Sequence, residues 1–203
     1  MSGINLQPFK TMGSMGGLFN VSSRGFTQGD AQDDPAVRMQ LCSGLISDDV
    51  ETPLYAGMGV LECLAPADSV TGNNIILPTA TRCNAFTVIN QAYHGITTPN
   101  SPVPQFLQGG SVHYFRIGSL ARIPLPISAD VAAMVQDGGP VDADGFVWDL
   151  VNQCVDVYSS GSSGNPVVNI KLLQVSTSGN LTVKKDNGNL VWDTEMPCGL
   201  FLI

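Results

Sequence analysis

The first candidates for acid–base chemistry in this 203-residue sequence are His94, His113 and Glu62. His94 stands at the end of a predicted strand, and it would need a buried aspartate and a nucleophile beside it to act as a catalytic base. His113 belongs to an alternating segment, a setting typical of packing and surface histidines. Glu62 has apolar neighbours on both sides, but glycoside hydrolysis requires a second, facing carboxylate. We therefore predict that the chain is not an enzyme and keep His94 as the alternative catalytic candidate.

Aspartates occur mostly in predicted turns, where their side chains hydrogen-bond to the local backbone. Asp142 and Asp144 begin a segment similar to a calcium-binding loop, but the twelfth positions counted from them are Gln153 and Val155, where that loop requires glutamate. The cysteines lie too far apart in the sequence for a metal-ligating Cys-x2-Cys pair, and the Gly-rich phosphate-binding motifs are absent. We expect neither a metal site nor a cofactor. The cysteines predicted to be free, buried thiols are Cys42, Cys63, Cys83, Cys154 and Cys198.

The balance of charge argues against two classes of partner. Lys and Arg number 9 against 17 Asp and Glu, which gives a net charge of −8, and 13% of the residues are charged. Nucleic acids and anionic membranes are recognised by clustered basic residues, and the only adjacent basic pair is Lys184-Lys185. No run approaches the roughly 20 apolar residues of a membrane span, and residues 1–17 lack the apolar core of a signal peptide. We expect neither nucleic acid nor a membrane as a partner.

Short apolar segments separated by turns dominate the remainder of the chain. Gly numbers 22 and Pro 13, and β-branched and aromatic residues recur between them at roughly ten-residue spacing. One helix is predicted at 129–136 with Ser128 as its N-cap, and the proline-rich stretch 97–104 is predicted as an exposed loop. The pattern indicates an all-β fold, either a small β-barrel or a jelly-roll-like sandwich. The segments predicted as strands are 37–42, 57–64, 75–77, 85–90, 112–117, 120–126, 146–148, 155–158, 167–173, 181–184, 190–192 and 199–203.

Both ends of the chain are more apolar than exposed termini usually are. Residues 1–35 are predicted as an extended N-terminal arm ahead of a domain at 36–203, with a possible subdivision near 97–110. The arm is either a disordered terminus or a segment that orders against a neighbouring subunit. The C-terminal stretch is either the last strand of the sheet or part of an interface. The side chains predicted as interface contacts are Met12, Met15, Leu18, Phe19, Leu200, Phe201, Leu202 and Ile203.

Several stretches of strand and turn residues follow one another in a recognisable order. They are Gly118–Pro126, Asp137–Gly145 with its Asp-Gly turn, Val167–Val175 and the final apolar strand, preceded by Thr87–Asn90 and the Met- and Gly-rich arm. In this order the chain resembles the head cement, or capsid decoration, proteins of tailed bacteriophages. The resemblance implies a virion structural protein without catalytic function. Such a protein binds the outer surface of the assembled capsid, cements neighbouring major capsid protein subunits and stabilises the head.

The resemblance also implies partners and a location. The partners would be the major capsid protein and further copies of the chain, as a dimer or trimer. The protein would be made in the bacterial host cytoplasm and would be located on the capsid exterior. Two alternatives stay open: another β-rich phage part, such as a tail, fibre-base or host-surface binding module with binding loops at 97–104 and 159–165, and a small β-barrel enzyme that acts through His94.

Overall fold

The computed structural model describes residues 25–31, 35–65, 72–89, 96–98, 101–136, 145–159 and 164–203. It is mostly β, with 51% strand and 6% helix, which confirms the all-β prediction. Several residues named above lie outside the described ranges. These are Met12, Met15, Leu18 and Phe19 of the expected arm, together with His94, Asp142 and Asp144.

Short strands follow one another along the described part of the chain. A short helix precedes the first strand, and a longer helix lies between two later strands. In chain order the elements are α1 (Pro35–Arg38), β1 (Cys42–Ile46), β2 (Leu54–Tyr55), β3 (Gly59–Cys63), β4 (Asn74–Ile76), β5 (Ala85–Thr87), β6 (Ile96–Thr98), β7 (Ser101–Phe106), β8 (Ser111–Arg116), β9 (Arg122–Pro126), α2 (Ala129–Gln136), β10 (Phe146–Asp149), β11 (Cys154–Val157), β12 (Val167–Val168), β13 (Lys171–Ser176), β14 (Thr182–Asp186), β15 (Asn189–Asp193) and β16 (Cys198–Leu202).

Five of the strands close into a barrel in the order β1-β4-β3-β5-β8. Neighbouring strands run antiparallel except β1 and β4, which are parallel. Because side chains alternate across a strand, every second residue points into the barrel, as Val60 and Ala85 do where β3 pairs with β5. Gly44 leaves room in the interior, since a Cβ at that position would stand 2.8 Å from Cγ1 of Ile75. The closed barrel is thus the first of the two architectures that the sequence pattern allowed.

Two three-stranded sheets pack against the outside of the barrel. Their strand orders are β11-β10-β12 and β13-β16-β9, and they form one core with the outer faces of β5 and β8. Phe86 of β5 meets Trp148 of β10 edge to face, with ring centroids 5.5 Å apart. Phe146 and Phe201 make the same kind of contact between the two sheets. This first core therefore joins the barrel to both sheets.

The C-terminal strand β16 lies in the middle of its sheet, between β13 and β9. Phe201 is fully buried, Leu200 and Ile203 are 6% and 3% exposed, and Leu202 is half-buried. The prediction of a last strand in the sheet is confirmed. The expected role of Leu200, Phe201 and Ile203 as interface contacts is corrected, because these side chains pack within the core of the chain itself.

A second core fills the barrel and closes one of its ends. Interior residues such as Tyr114 pack with Met58, with Phe106 of β7 and with one face of the β14-β15 ribbon. The ribbon turns through Asn187 and Gly188, whose φ angles are 48° and 86°. Positive φ at both positions defines the two-residue type I′ turn, which suits Asn-Gly. The Asn187-Gly188 pair therefore closes the β14-β15 hairpin.

Residues 25–31, which the sequence assigned to the N-terminal arm, belong to the folded body. Gln28 is 1% exposed, and its Nε2 donates to the carbonyl of Ala56 at 3.0 Å. Its Oε1 accepts the amide of Val183 in β14 at 2.9 Å. The amide of Gly29 donates to a carbonyl of β9 at 2.8 Å. The segment therefore links the ribbon, the turn before β3 and the sheet that contains β9.

Two local predictions are wrong for identifiable reasons. The segment 37–42 begins in the helical turn α1, because Pro35 suits a first helical position, and a strand starts only at Cys42. The described residues of the stretch 97–104 belong to the paired strands β6 and β7 instead of an exposed loop, and Val103 is 1% exposed. Pro102 and Pro104 are tolerated because the register of the β6-β7 pair is irregular and β2 pairs only with the end of β7.

Several other predictions are confirmed. Helix α2 spans the predicted residues, and Oγ of Ser128 caps it by accepting the amide of Val131 at 3.3 Å. The proline-containing strand β9 lies at the edge of its sheet. The five cysteines are free, although only Cys83, Cys154 and Cys198 are buried and the other two are half-buried.

Candidate functional site

One end of the barrel interior is polar. At this end, which we call the mouth, β3 and β8 finish and β1 and β4 begin. Deeper in the barrel the same strands present valine and isoleucine. The interior positions nearest the mouth are Cys42, Glu62, Asn73, Tyr114 and Arg116.

Glu62 is the centre of this polar cluster. Its carboxylate accepts Nε and Nη2 of Arg116 at 2.5 and 2.7 Å, the hydroxyl of Tyr114 at 2.5 Å, and Nδ2 of Asn73. Asn84 fixes the backbone of Glu62 by accepting its amide at 2.7 Å and donating to its carbonyl at 3.2 Å. The side chain of Glu62 is 11% exposed and that of Arg116 is 53% exposed. The bidentate pair therefore holds the guanidinium in one orientation at the rim, with about half of its surface open.

The cluster keeps Glu62 ionised. Hydrogen bonds from Arg116 lower the pKa of Glu62 from 4.5 to about 2, although burial acts in the opposite direction. Burial, together with the hydrogen bond to this carboxylate, raises the pKa of Tyr114 to about 12. The same ion pair raises the pKa of Arg116. A general acid needs a raised carboxyl pKa, so Glu62 is suited to positioning Arg116 and not to proton transfer.

A groove of about 360 Å³ opens beside Arg116. It lies between the turn that precedes β1 and the turn that follows β8, and its apolar walls include Met39, Leu41 and Ile117. Its volume is within the range of sites that take a small molecule or a side chain of a partner. The groove thus combines apolar walls with an immobilised guanidinium.

Large apolar side chains are exposed in the connections at the mouth. Met39 and Leu64 are 90% and 91% exposed, and Leu120 is 60% exposed. Met39 lines the groove, Leu120 follows Ser119 of the groove, and Leu64 follows the last residue of β3. We define the mouth face as these three residues, Arg116 and the groove. Exposed apolar residues grouped with an immobilised arginine are typical of protein interfaces.

Exposed apolar residues also occur at both ends of the sheet β11-β10-β12. Val151 in the β10-β11 turn is 87% exposed, and Val167 of β12 is 58% exposed. Tyr158 is 43% exposed and, by the strand register, points to the same side of the sheet as Val167. We define the sheet face as Val151, Tyr158 and Val167. The mouth face belongs to the barrel strands and their connections, whereas the sheet face belongs to a different sheet.

Sequence reasoning found Glu62 but misread its environment. The neighbours along the chain are apolar, whereas the groups that decide its ionisation come from β8 and from the residue before β4. Asn73, Tyr114 and Arg116 were not predicted. The one available signal was that Tyr114 and Arg116 are two residues apart in a predicted strand and so share a face.

The remaining candidates do not converge on the mouth face. His113 points away from the barrel interior on β8, and burial lowers its pKa. Burial raises the pKa of Cys83 and of Cys154 to about 12, which suppresses the thiolate form that a nucleophile requires. Across the described ranges, no three His, Cys, Asp or Glu side chains are grouped as metal ligands would be.

Comparison with other proteins adds no relatives. No protein family model, no curated protein and no solved structure matches the chain. Among the helices that the structure describes, none is long and apolar enough to cross a membrane. The class of protein defined by the fold is an all-β barrel protein, and its notable feature is a barrel mouth that carries a fixed arginine within an apolar rim.

Proposed function

We propose that this chain is a virion structural protein that binds the outer surface of a phage capsid and cements neighbouring major capsid protein subunits. The observation that carries the proposal is the pair of separate apolar surfaces on one body, the mouth face and the sheet face. A cementing protein must hold at least two neighbours at once, and two independent contact surfaces meet that requirement. The resemblance of the strand and turn segments to capsid decoration proteins points in the same direction.

The sheet face is the surface that we assign to the capsid. Val151 projects from a turn, and Val167 belongs to the two-residue strand β12, which pairs with β10. Strands near a sheet edge can receive a partner backbone, while exposed apolar side chains supply the buried area. Repetition of this contact around a closed shell adds avidity, so a modest affinity for each capsid subunit is sufficient.

Co-sedimentation with undecorated, DNA-filled heads of the phage that encodes the chain tests this proposal. We expect saturable binding at a fixed ratio to the major capsid protein. The double variant Val151→Asp/Val167→Asp should bind at least about tenfold more weakly, because two apolar contacts of about 1 kcal/mol each are lost. Leu173→Asp on β13 is the matched control, since Leu173 is also exposed but lies outside both faces, and it should bind as the unmodified chain does.

The experiment distinguishes failure of the capsid role from failure of the sheet face as the contact surface. Absence of saturable binding by the unmodified chain would reject the capsid role. Saturable binding that Val151→Asp/Val167→Asp leaves unchanged would keep the capsid role and reject the sheet face as its contact surface.

A further inference from the structure

Exposed charged side chains of the described residues form a basic group near the mouth and an acidic group in the turn after β1. Near the mouth stand Arg82, Arg122 and Lys171, which are exposed. Arg82 lies two residues before Asn84, which holds the backbone of Glu62. Arg122 begins β9, just after the turn that follows β8. Lys171 of β13 lies two strands away in the same sheet, and both residues pair with Leu202 of the central strand β16. Glu62 balances the charge of Arg116, so Arg82, Arg122 and Lys171 supply the excess positive charge near the mouth, although the chain as a whole carries a net charge of −8.

The turn that follows β1, at the end of the barrel away from the mouth, is acidic. Strand β1 runs from the mouth to Ile46, and a five-residue strand spans roughly 13 Å between its end residues. The turn that follows presents Asp48, Asp49 and Glu51, all exposed, in four consecutive positions. The described ion pairs, Arg116–Glu62 and Lys184–Asp193, involve none of the three.

This acidic turn is held in a fixed conformation. Val50, in the middle of it, is 2% exposed and packs in the second core. The side-chain amide of Gln108 donates to the carbonyl of Asp48 from the β7-β8 connection. Leu107, the preceding residue, is 44% exposed. We define the acidic end as Asp48, Asp49, Glu51 and Leu107.

The mouth face and the acidic end are complementary in both charge and polarity. The mouth has an immobilised guanidinium, further basic side chains and an apolar groove, while the acidic end has three carboxylates and an exposed leucine. Because Glu62 already fixes Arg116, little side-chain entropy is lost when a partner carboxylate approaches it. Two mouths would repel each other, and so would two acidic ends, so the charge distribution favours contact between unlike ends.

We propose that the chain associates head to tail, with the mouth face of one copy docked on the acidic end of the next. Leu107 of the second copy fits the apolar groove, and its carboxylates face Arg82, Arg116 and Arg122. A contact between unlike surfaces closes into a ring or continues as a chain, depending on the rotation between copies. This association does not depend on capsid binding by the sheet face.

The association should be sensitive to salt. Exposed ion pairs contribute about 0.2–1 kcal/mol each, so several are needed alongside the apolar contact. The screening length falls from about 30 Å at 0.01 M salt to about 3 Å at 1 M. In sedimentation velocity of the full chain over a concentration series, we expect oligomers at low salt and a shift to monomer at about 1 M salt.

Charge reversal distinguishes the proposed contact from non-specific association. Arg82→Glu/Arg122→Glu makes both ends acidic, and Asp48→Lys/Asp49→Lys makes both ends basic. Each variant alone should sediment as a monomer at low salt. An equimolar mixture should associate again, because the intact acidic end of the first variant meets the intact mouth face of the second. The control Lys184→Glu/Lys185→Glu changes the net charge as the first variant does but leaves the mouth arginines and the carboxylates of the acidic end intact, so it should still associate.

The urea unfolding midpoint of each variant is first compared with that of the unmodified chain. If Arg82→Glu/Arg122→Glu does not fold, the neutral variant Arg82→Gln/Arg122→Gln takes its place. Three outcomes would overturn the proposal. They are a monomeric unmodified chain at every salt concentration, oligomers that neither reversal weakens, and a mixture of the two reversed variants that stays monomeric. Capsid binding by a chain that is monomeric in all these experiments would reject the head-to-tail contact and leave the capsid role in place.

Discussion

At the scale of single residues, the ionisation of Glu62 is decided by neighbours across the barrel and not by neighbours along the chain. Leu61 and Cys63 flank it in sequence, and a carboxylate among such residues alone would have a raised pKa. The β-barrel instead brings Arg116 and Tyr114 of β8 to the same carboxylate. Because three donors satisfy the anion, burial does not neutralise it, and the pair becomes the rigid part of the mouth.

Replacement of Glu62 by glutamine should weaken the fold in a way that depends on pH. The folded pKa of about 2 lies below the ordinary value of 4.5, so the stabilisation is complete above about pH 5 and is lost as the pH falls towards 2. At pH 7 we expect Glu62→Gln to lower the free energy of unfolding by about 1.5 kcal/mol, at the low end for charged hydrogen bonds because Arg116 is half-exposed. Urea unfolding at a series of pH values measures this difference, which should shrink towards zero near pH 2.

The control for this prediction is Asp49→Asn. It removes an exposed carboxylate that belongs to neither described ion pair, and we expect a change within about 0.5 kcal/mol at every pH. If Glu62→Gln lowers the free energy of unfolding by the same amount at every pH, the glutamine disturbs packing and the ion pair contributes nothing to stability.

At the scale of secondary-structure elements, periodicity predicted most strands and the helix α2, and it failed where tertiary contacts override local rules. Alternation along 37–42 suggested a strand, although only its last residue begins one. Prolines in 97–104 suggested a loop, yet its described residues pair as β6 and β7 because the ladder is irregular where Pro102 and Pro104 lie. Strand order is not encoded in periodicity, so the sequence could not reveal the residues that surround Glu62. Charged residues were visible in the sequence, but their grouping near the mouth and in the turn after β1 was not.

The docked segment 25–31 leads to a prediction about two truncated chains, one that begins at Gly25 and one that begins at Ala31. The shorter chain loses Gln28, which leaves the buried amide of Val183 without its acceptor. The unsatisfied buried amide and the lost hydrogen bond to Ala56 together lower the free energy of unfolding by about 2 kcal/mol. For a chain of this size we expect a Tm about 4–8 °C lower, measured by differential scanning calorimetry.

A second substitution separates the role of this one side chain from that of the whole segment. Gln28→Ala in the chain that begins at Gly25 should reproduce a large part of the loss in Tm, because both hydrogen bonds belong to its amide group. Equal Tm values for the two truncated chains would restore the sequence-based interpretation, in which an arm as long as residues 1–35 stands outside the folded body.

At the scale of the whole molecule, the two hydrophobic cores share the strands β5 and β8. Phe86 and Phe115 point outward from the barrel into the first core, while Ala85 and Tyr114 point inward into the second. Because adjacent residues of one strand belong to different cores, loss of either core removes support from the other. The stretch 97–110, where the sequence suggested a subdivision, contains β7, and Val103 of that strand packs in the same core as the barrel interior.

The two tryptophans provide a direct test of this coupling. Trp148 is fully buried in the first core, and Trp192 packs against the second. We expect the single-tryptophan variants Trp148→Phe and Trp192→Phe each to unfold in one transition, with the fluorescence midpoint of each equal to the midpoint of its own circular dichroism curve. The comparison is made within each variant, since Trp148→Phe itself costs stability by leaving space in the first core. A fluorescence transition that precedes the loss of circular dichroism in either variant would mean that the cores unfold separately, and the barrel would then have to be treated as a unit distinct from the two sheets packed on it.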